Sequence, residues 1–231
     1  MQRFEVIQPF LDLNKNSRYL EIGVEGGTTF HLIKAEKKVA VDPIFRFNVP
    51  KNRITNSIEY HEITSDQYFG SISIDEKFDV IFVDGLHTNE QTTRDVLNAV
   101  EHLSANGVIL IDDVIPSSYA ASLEMQSDTA FYRELMELEK FDGDNWMGPV
   151  FRVVYFIAAF MQSFDYATIR ENHGQTVMWR SIRSQPDCTD LTLEQIARMP
   201  FIDMLHRMEV LKVRPYPDIL SHIANLAKMP K

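Results

Sequence analysis

The chain has 231 residues, 45% of them hydrophobic, and a formal net charge of -10. That length and apolar content can form a sizeable core, and we read one core domain with an appendage. The acidic balance lacks the basic field needed to coat nucleic acid or anionic lipid, so neither is expected as a partner.

Cys188 is the one cysteine, which excludes an intramolecular disulfide and a Cys-rich zinc site and points to a reducing, cytoplasmic home. The opening Met1-Gln-Arg-Phe-Glu-Val has no long apolar core before its first charges, so a targeting segment is not expected there. The longest apolar stretch, Val153 to Met161, falls far short of the ~20 residues of a membrane span. In chain order, residues 3 to 13 read as an amphipathic helix and Arg18 to Val24 as a buried strand. A glycine turn, Glu21-Ile-Gly23-Val-Glu-Gly26-Gly27, then opens a helix expected from about Thr28 to Ala35. Lys38 to Asp42 is a second strand and Ser57 to Ile63 a weaker third, followed by Thr64 as a helix cap. Phe78 to Asp84 is a continuous apolar strand. Thr88 then caps a helix with Gln91 as its capping-box partner and Val96, Leu97, Val100 and Leu103 on its buried face. Asn106-Gly107 is expected to stop that helix before a strand from Val108 to Asp113.

Alternating strands and helices imply a parallel sheet. After Pro116, Ser117 to Asn145 is a polar insertion longer than structural connections need, and it reads as a substrate lid. Pro149 suits the first turn of a helix to about Gln162. Phe164 to Arg170 and Gln175 to Arg180, joined by Asn172-His-Gly, form a hairpin. From Ser184 onward the chain is Pro-punctuated, with helices expected at Leu191 to Arg198 and Ile219 to Lys228. The division is therefore a domain over residues 1–183 and a helical extension over 184–231. Met199, Met204 and Met208 in that extension suit a core-facing helix better than an adaptable surface, and a homo-oligomer through the tail is left open.

Chemistry concentrates at strand ends. Parallel α/β sheets bind ligands outside the carboxyl ends of their strands, and Asp84, Asp112 and Asp113 all fall there. Carboxylates gathered without a counter-charge repel one another unless a cation or proton intervenes. Adjacent strand residues face opposite ways, so alternation alone would turn Asp112 or Asp113 away from the other, and an Asx turn is the plain alternative for either. The glycine turn lets a ligand approach helix N–H groups. It does not match G-x-G-x-x-G, because Glu25 stands where a pyrophosphate would need glycine, which makes an NAD-dependent oxidoreductase the weakest reading. Asp42, roughly 20 residues beyond the turn, sits where a carboxylate meets ribose hydroxyls. An ordinary glycine turn with an Asp capping the loop before Pro43 is the alternative.

Four segments, Tyr19-Leu-Glu-Ile-Gly-Val-Glu-Gly-Gly, Ala40-Val-Asp-Pro, Phe78-Asp-Val-Ile-Phe-Val-Asp-Gly-Leu-His and Gly107-Val-Ile-Leu-Ile-Asp-Asp, resemble class I S-adenosylmethionine-dependent methyltransferases, in particular the metal-dependent macrocin and catechol-type O-methyltransferases. The resemblance spans about residues 17 to 182. It implies a Rossmann-like three-layer α/β sandwich with a mostly parallel seven-stranded sheet and an antiparallel last strand. It implies that Glu21 orients the turn and holds the methionine amino group, that Gly23 and Gly27 leave room for the cofactor, that Asp42 binds the ribose, and that Ser65 and Asp66 lie beside the adenine. Asp84, Asp112 and Asp113 become the metal ligands, and their hard oxygens suit Mg²⁺. His87, three residues past Asp84, is the candidate general base, alongside a catalytic Asp84. The macrocin-like branch has a histidine there and the catechol branch a lysine. A helix-capping role is the alternative for His87. Trp146 reads as core packing or as a wall of the acceptor pocket. His173 reads as a structural turn residue, and His31, His61, His102, His206 and His222 as solvated or satisfied. The expected activity is Mg²⁺-assisted methylation of a hydroxyl on a small molecule or sugar, and its rival is a non-catalytic nucleoside-binding or assembly module with a structural Asp cluster.

Overall fold

In the computed structural model, which describes residues 1–137 and 145–228, eight strands form one sheet. Five parallel strands make its body: β1 (Arg18–Ile22), β2 (Lys37–Val41), β3 (Ile58–His61), β4 (Phe78–Val83) and β5 (Leu103–Ile111). The inner strands β1, β2, β4 and β5 bury apolar residues on both faces, as strands covered by helices on two sides must, while the edge strand β3 buries only Tyr60. The hairpin of β6 (Phe164–Ile169) and β7 (Thr176–Arg180) completes the sheet with β7 antiparallel between β5 and β6. The order is β3-β2-β1-β4-β5-β7-β6-β8. The eighth strand, β8 (Val213–Arg214), comes from the C-terminal extension and pairs parallel to β6, which corrects the expectation of seven strands.

Side-chain alternation divides the core into two layers. On one face Leu20, Ile22, Val39, Ile81, Val83, Ile109 and Ile111 pack with helices α2 (Ser65–Ser71), α3 (Asn89–His102) and α5 (Phe151–Phe160). The extension joins this layer through α6 (Leu193–Ala197) and α7 (Phe201–His206), which contribute Ile196 and Met204. On the other face Tyr19, Ala40, Val80, Phe82, Val108 and Leu110 meet α1 (Arg3–Leu11) and α8 (Tyr216–Leu226). The remaining helix, α4 (Gln126–Leu135), belongs to the insertion after Pro116. The expected lid over 117–145 falls partly outside the described residues. No helix among the described residues is long and apolar enough to cross a membrane.

Two expectations fail for identifiable reasons. Residues 28–32 form turns and 33–35 irregular backbone instead of a helix. The buried Lys38 ammonium, reaching across from β2, donates to the Phe30 and Ile33 carbonyls at 2.8 and 3.0 Å, so tertiary contacts override local helix propensity. Nor does Asn106-Gly107 stop a helix. α3 ends at His102, and β5 already begins at Leu103. A side chain at Gly107 would stand 2.9 Å from the Asp79 carbonyl, where the β4–β5 register shifts, so the glycine serves a close strand approach.

Candidate active site and cation cluster

β1 delivers Glu21 to the centre of the rim, where it is almost fully buried and accepts a 2.6 Å hydrogen bond from the Tyr19 hydroxyl. Burial pushes its carboxyl up to about 8; the Tyr19 bond and the more distant Lys38 charge only partly oppose this. Beyond it Gly23 has a left-handed backbone, φ 87°, and a Cβ there would stand 1.9 Å from the Asp84 carbonyl. Gly23 is thus demanded by the β4 loop crossing it, a packing reason beside the one the resemblance supplies. Gly27 closes the turn by donating its N–H to the Val24 carbonyl. Asp42, at the end of β2, binds that turn to its own loop by accepting from the Glu25 and Ile44 N–H groups, both at 2.8 Å.

Ser65 and Asp66 open α2 and face the start of α3. Gln91 joins them: its amide donates to Ser65 Oγ at 3.2 Å, to Asp66 Oδ1 at 3.3 Å and to Asp95 Oδ1 at 3.0 Å. The Thr88 cap forms as expected through the Gln91 N–H, while the Gln91 side chain is spent on this network. Arg94 pairs with Asp66 at 2.9 Å. Asp95, which the sequence reading passed over, is raised to about 6 by burial. Its position on the turn after Gln91, i and i+4 on one helix face, was the available signal.

The carboxylates gather at the ends of β4 and β5. Both Asp112 and Asp113 lie past the last paired residue of β5, and Asp113 takes a left-handed conformation, φ 58°. Strand alternation therefore lapses, and the two side chains reach one site. His87 Nε2 lies 3.3 Å from Asp84 Oδ1, and its Nδ1 lies 3.4 Å from Asp113 Oδ2. His173 Nε2 lies 3.1 Å from Asp112 Oδ1 and 4.0 Å from Asp113 Oδ1. Arg3, the first residue of α1, pairs its Nε with the Asp112 carboxylate and stands 3.4 Å from Asp84 Oδ2. His173, expected to be a structural turn residue, is part of the cluster. The signal was topological, since a strand antiparallel to β5 must begin beside the residues that follow β5. Arg3 left no such signal in the sequence.

The electrostatics follow from this crowding. Burial, then Asp112, raises the Asp84 carboxyl; burial, then Asp112 and Asp84, pushes Asp113 up to about 7. Burial disfavours the charge on His87, but Asp84 and Asp113 outweigh it and hold its proton to about 9. Trp146 lies against the His87 ring with centroids 5.5 Å apart, and its indole N–H donates to the Leu123 carbonyl at 2.7 Å, tying the insertion to the cluster. Gly148, at φ 64°, lets that segment run under His87, whose carbonyl oxygen would be 1.8 Å from a Cβ there. Ligand atoms of Asp84, His87 and Asp113 lie within 4.8 Å of one another, as do those of Asp112, Asp113 and His173. Oxygen-rich donors this close, two of them raised by burial and then by mutual repulsion, fit a divalent cation.

Residues 20–114, from β1 through the carboxylates after β5, match the model of a methyltransferase domain. No curated protein matches the chain. Among solved structures, a Staphylococcus aureus protein assigned as a caffeoyl-CoA O-methyltransferase is similar with a TM-score of 0.53 and 13% identity, over 78% of this chain and 85% of that one. The cofactor-bound structure of Rv0187 from MTB is similar with a TM-score of 0.51 and 14% identity, over 79% and 82% of the two chains. At such identities the likeness is one of fold. The chain thus takes the Rossmann-like methyltransferase fold, and its residues 20–114 are similar to a methyltransferase domain.

Proposed function

We propose that the protein transfers the methyl group of S-adenosylmethionine to a hydroxyl of a small molecule or sugar, with Mg²⁺ assisting. The observation that carries this reading is the adjacency, on one rim, of a glycine turn bound by Asp42 and a cluster of three carboxylates with two imidazoles. Asp42 keeps a free lone pair on each oxygen while its backbone partners fix it, which suits two ribose hydroxyls. Ser65 and Asp66, locked by Gln91, form the edge at which the adenine would lie. Glu21 is a buried acid without a full counter-charge, and the methionine ammonium would relieve it directly or through water.

Asp84, Asp112 and Asp113 would hold the cation, which when bound lowers the proton affinity of an acceptor hydroxyl and orients it. The chain does the rest. Neutralising Asp84 and Asp113 removes the two charges that hold the proton on His87, leaving Nε2 free to accept one from the acceptor. Trp146 and the insertion it ties to the cluster, with Tyr119, Met125 and Phe131 exposed on its surface, would supply an apolar wall for the acceptor and a lid over the reacting groups. Holding the acceptor oxygen in line with the methyl carbon and the sulfonium sulfur that leaves as the thioether, with the base beside the hydroxyl, is where most of the acceleration would arise.

Calorimetric titration with S-adenosylhomocysteine, with and without Mg²⁺ and with NAD as control, tests the reading. Saturable binding of S-adenosylhomocysteine and none of NAD supports it. Absence of binding up to about millimolar ligand discards it in favour of a binding module with a structural Asp cluster.

A further inference from the structure

Three carboxylates make three pairs, and each pair is bridged by a different side chain. His87 spans Asp84 and Asp113, His173 spans Asp112 and Asp113, and Arg3 spans Asp84 and Asp112. The imidazoles can ligate a cation or lose a proton to accommodate one. A guanidinium can do neither, because it keeps its charge and has no lone pair to offer. A divalent cation on the Asp84–Asp112 oxygens would therefore meet a fixed positive charge at ion-pair distance.

α1 does not depend on that ion pair for its place. Val6, Ile7, Phe10 and Leu11 are buried beneath it, the Tyr216 hydroxyl of α8 donates to the Val6 carbonyl at 2.9 Å, and Phe10 meets the Tyr216 ring edge-on. The Arg3 side chain itself is 37% exposed, so it can leave the cluster for solvent while the helix stays docked. We propose that Arg3 is an internal counter-cation that occupies the Asp84–Asp112 edge and gives it up when a divalent metal binds. This rests on the cation reading above. Arg3 acts here as a gate on metal affinity, and it neither touches the acceptor nor moves a proton.

The test is Mn²⁺ titration of the full chain, without cofactor or acceptor, followed by the electron paramagnetic resonance signal of free Mn²⁺. Arg3→Gln should bind Mn²⁺ about tenfold more tightly than the wild type, the scale of losing one charged contact. Arg3→Lys, which keeps the charge but not the fork, should fall between them and serves where the first variant folds poorly. Structural damage would lower the affinity, so a rise separates competition from mere support. Measurable wild-type binding that neither variant improves overturns the role of Arg3 and leaves the cation reading standing. If no form binds Mn²⁺ while all bind S-adenosylhomocysteine, the cation reading falls and the Arg3 proposal with it, but the methyltransferase reading survives.

Discussion

At the scale of single residues, Glu21 shows how a binding group is set by its surroundings. Its folded carboxyl titrates at about 8 against an ordinary value of 4.5, chiefly because it is buried. A carboxyl raised in the folded state favours folding fully below about 4.5, and that contribution is lost as pH rises through about 8. The cofactor-free protein should accordingly lose thermal stability from pH 5 to pH 8, and Glu21→Gln should flatten that fall, by a few degrees of Tm at the alkaline end. Melting curves at several pH values decide it; parallel profiles for the two proteins would mean that Glu21 is compensated in a way the Tyr19 bond does not account for. The carboxylate residues were legible in the sequence because acids ending apolar runs stand out. Arg3 was not legible, since nothing local marks an arginine on an amphipathic helix as the partner of Asp84 and Asp112, far along the chain. His173 was overlooked because a histidine in a hairpin turn looks ordinary until β7 is known to lie beside β5.

Among elements, the parallel strands were readable because continuous apolar runs have few other uses in a chain of this length. Their ends shifted by a residue or two, as in β1, read to Val24 and paired to Ile22. The segment after the glycine turn was misread for want of one fact, the reach of Lys38 from the neighbouring strand. That ammonium satisfies two carbonyls and lies 4.6 Å from the centre of the Phe30 ring. Lys38→Met should cost about 1–3 kcal/mol, the penalty for stranding buried acceptors, as measured by urea denaturation. A loss under about 0.5 kcal/mol, typical of a surface change, would show that water takes over both carbonyls.

For the whole molecule, the C-terminal extension belongs to the structure of the sheet as much as to its periphery. It buries Met204 and Leu211 against one face, Ile219 and Ile223 against the other, and sends β8 to the edge of β6. Through Tyr216 it also braces α1, the helix that carries Arg3. Truncation after Arg183 should abolish the cooperative thermal transition followed by circular dichroism, whereas a sharp transition retained within a few degrees would make the extension dispensable for folding. The sequence identified that extension as helical but hid its strand, because two residues flanked by a helical turn and a proline carry no period to read. The place of β7 has a consequence for the order of assembly. Since β7 separates β5 from β6 although it follows both in the chain, the β5 edge has no partner on that side until Arg180 has left the ribosome. Val108 to Ile111, one of the most apolar stretches in the protein, then waits as an open sheet edge during synthesis, which makes chains arrested before residue 176 the species most prone to self-association.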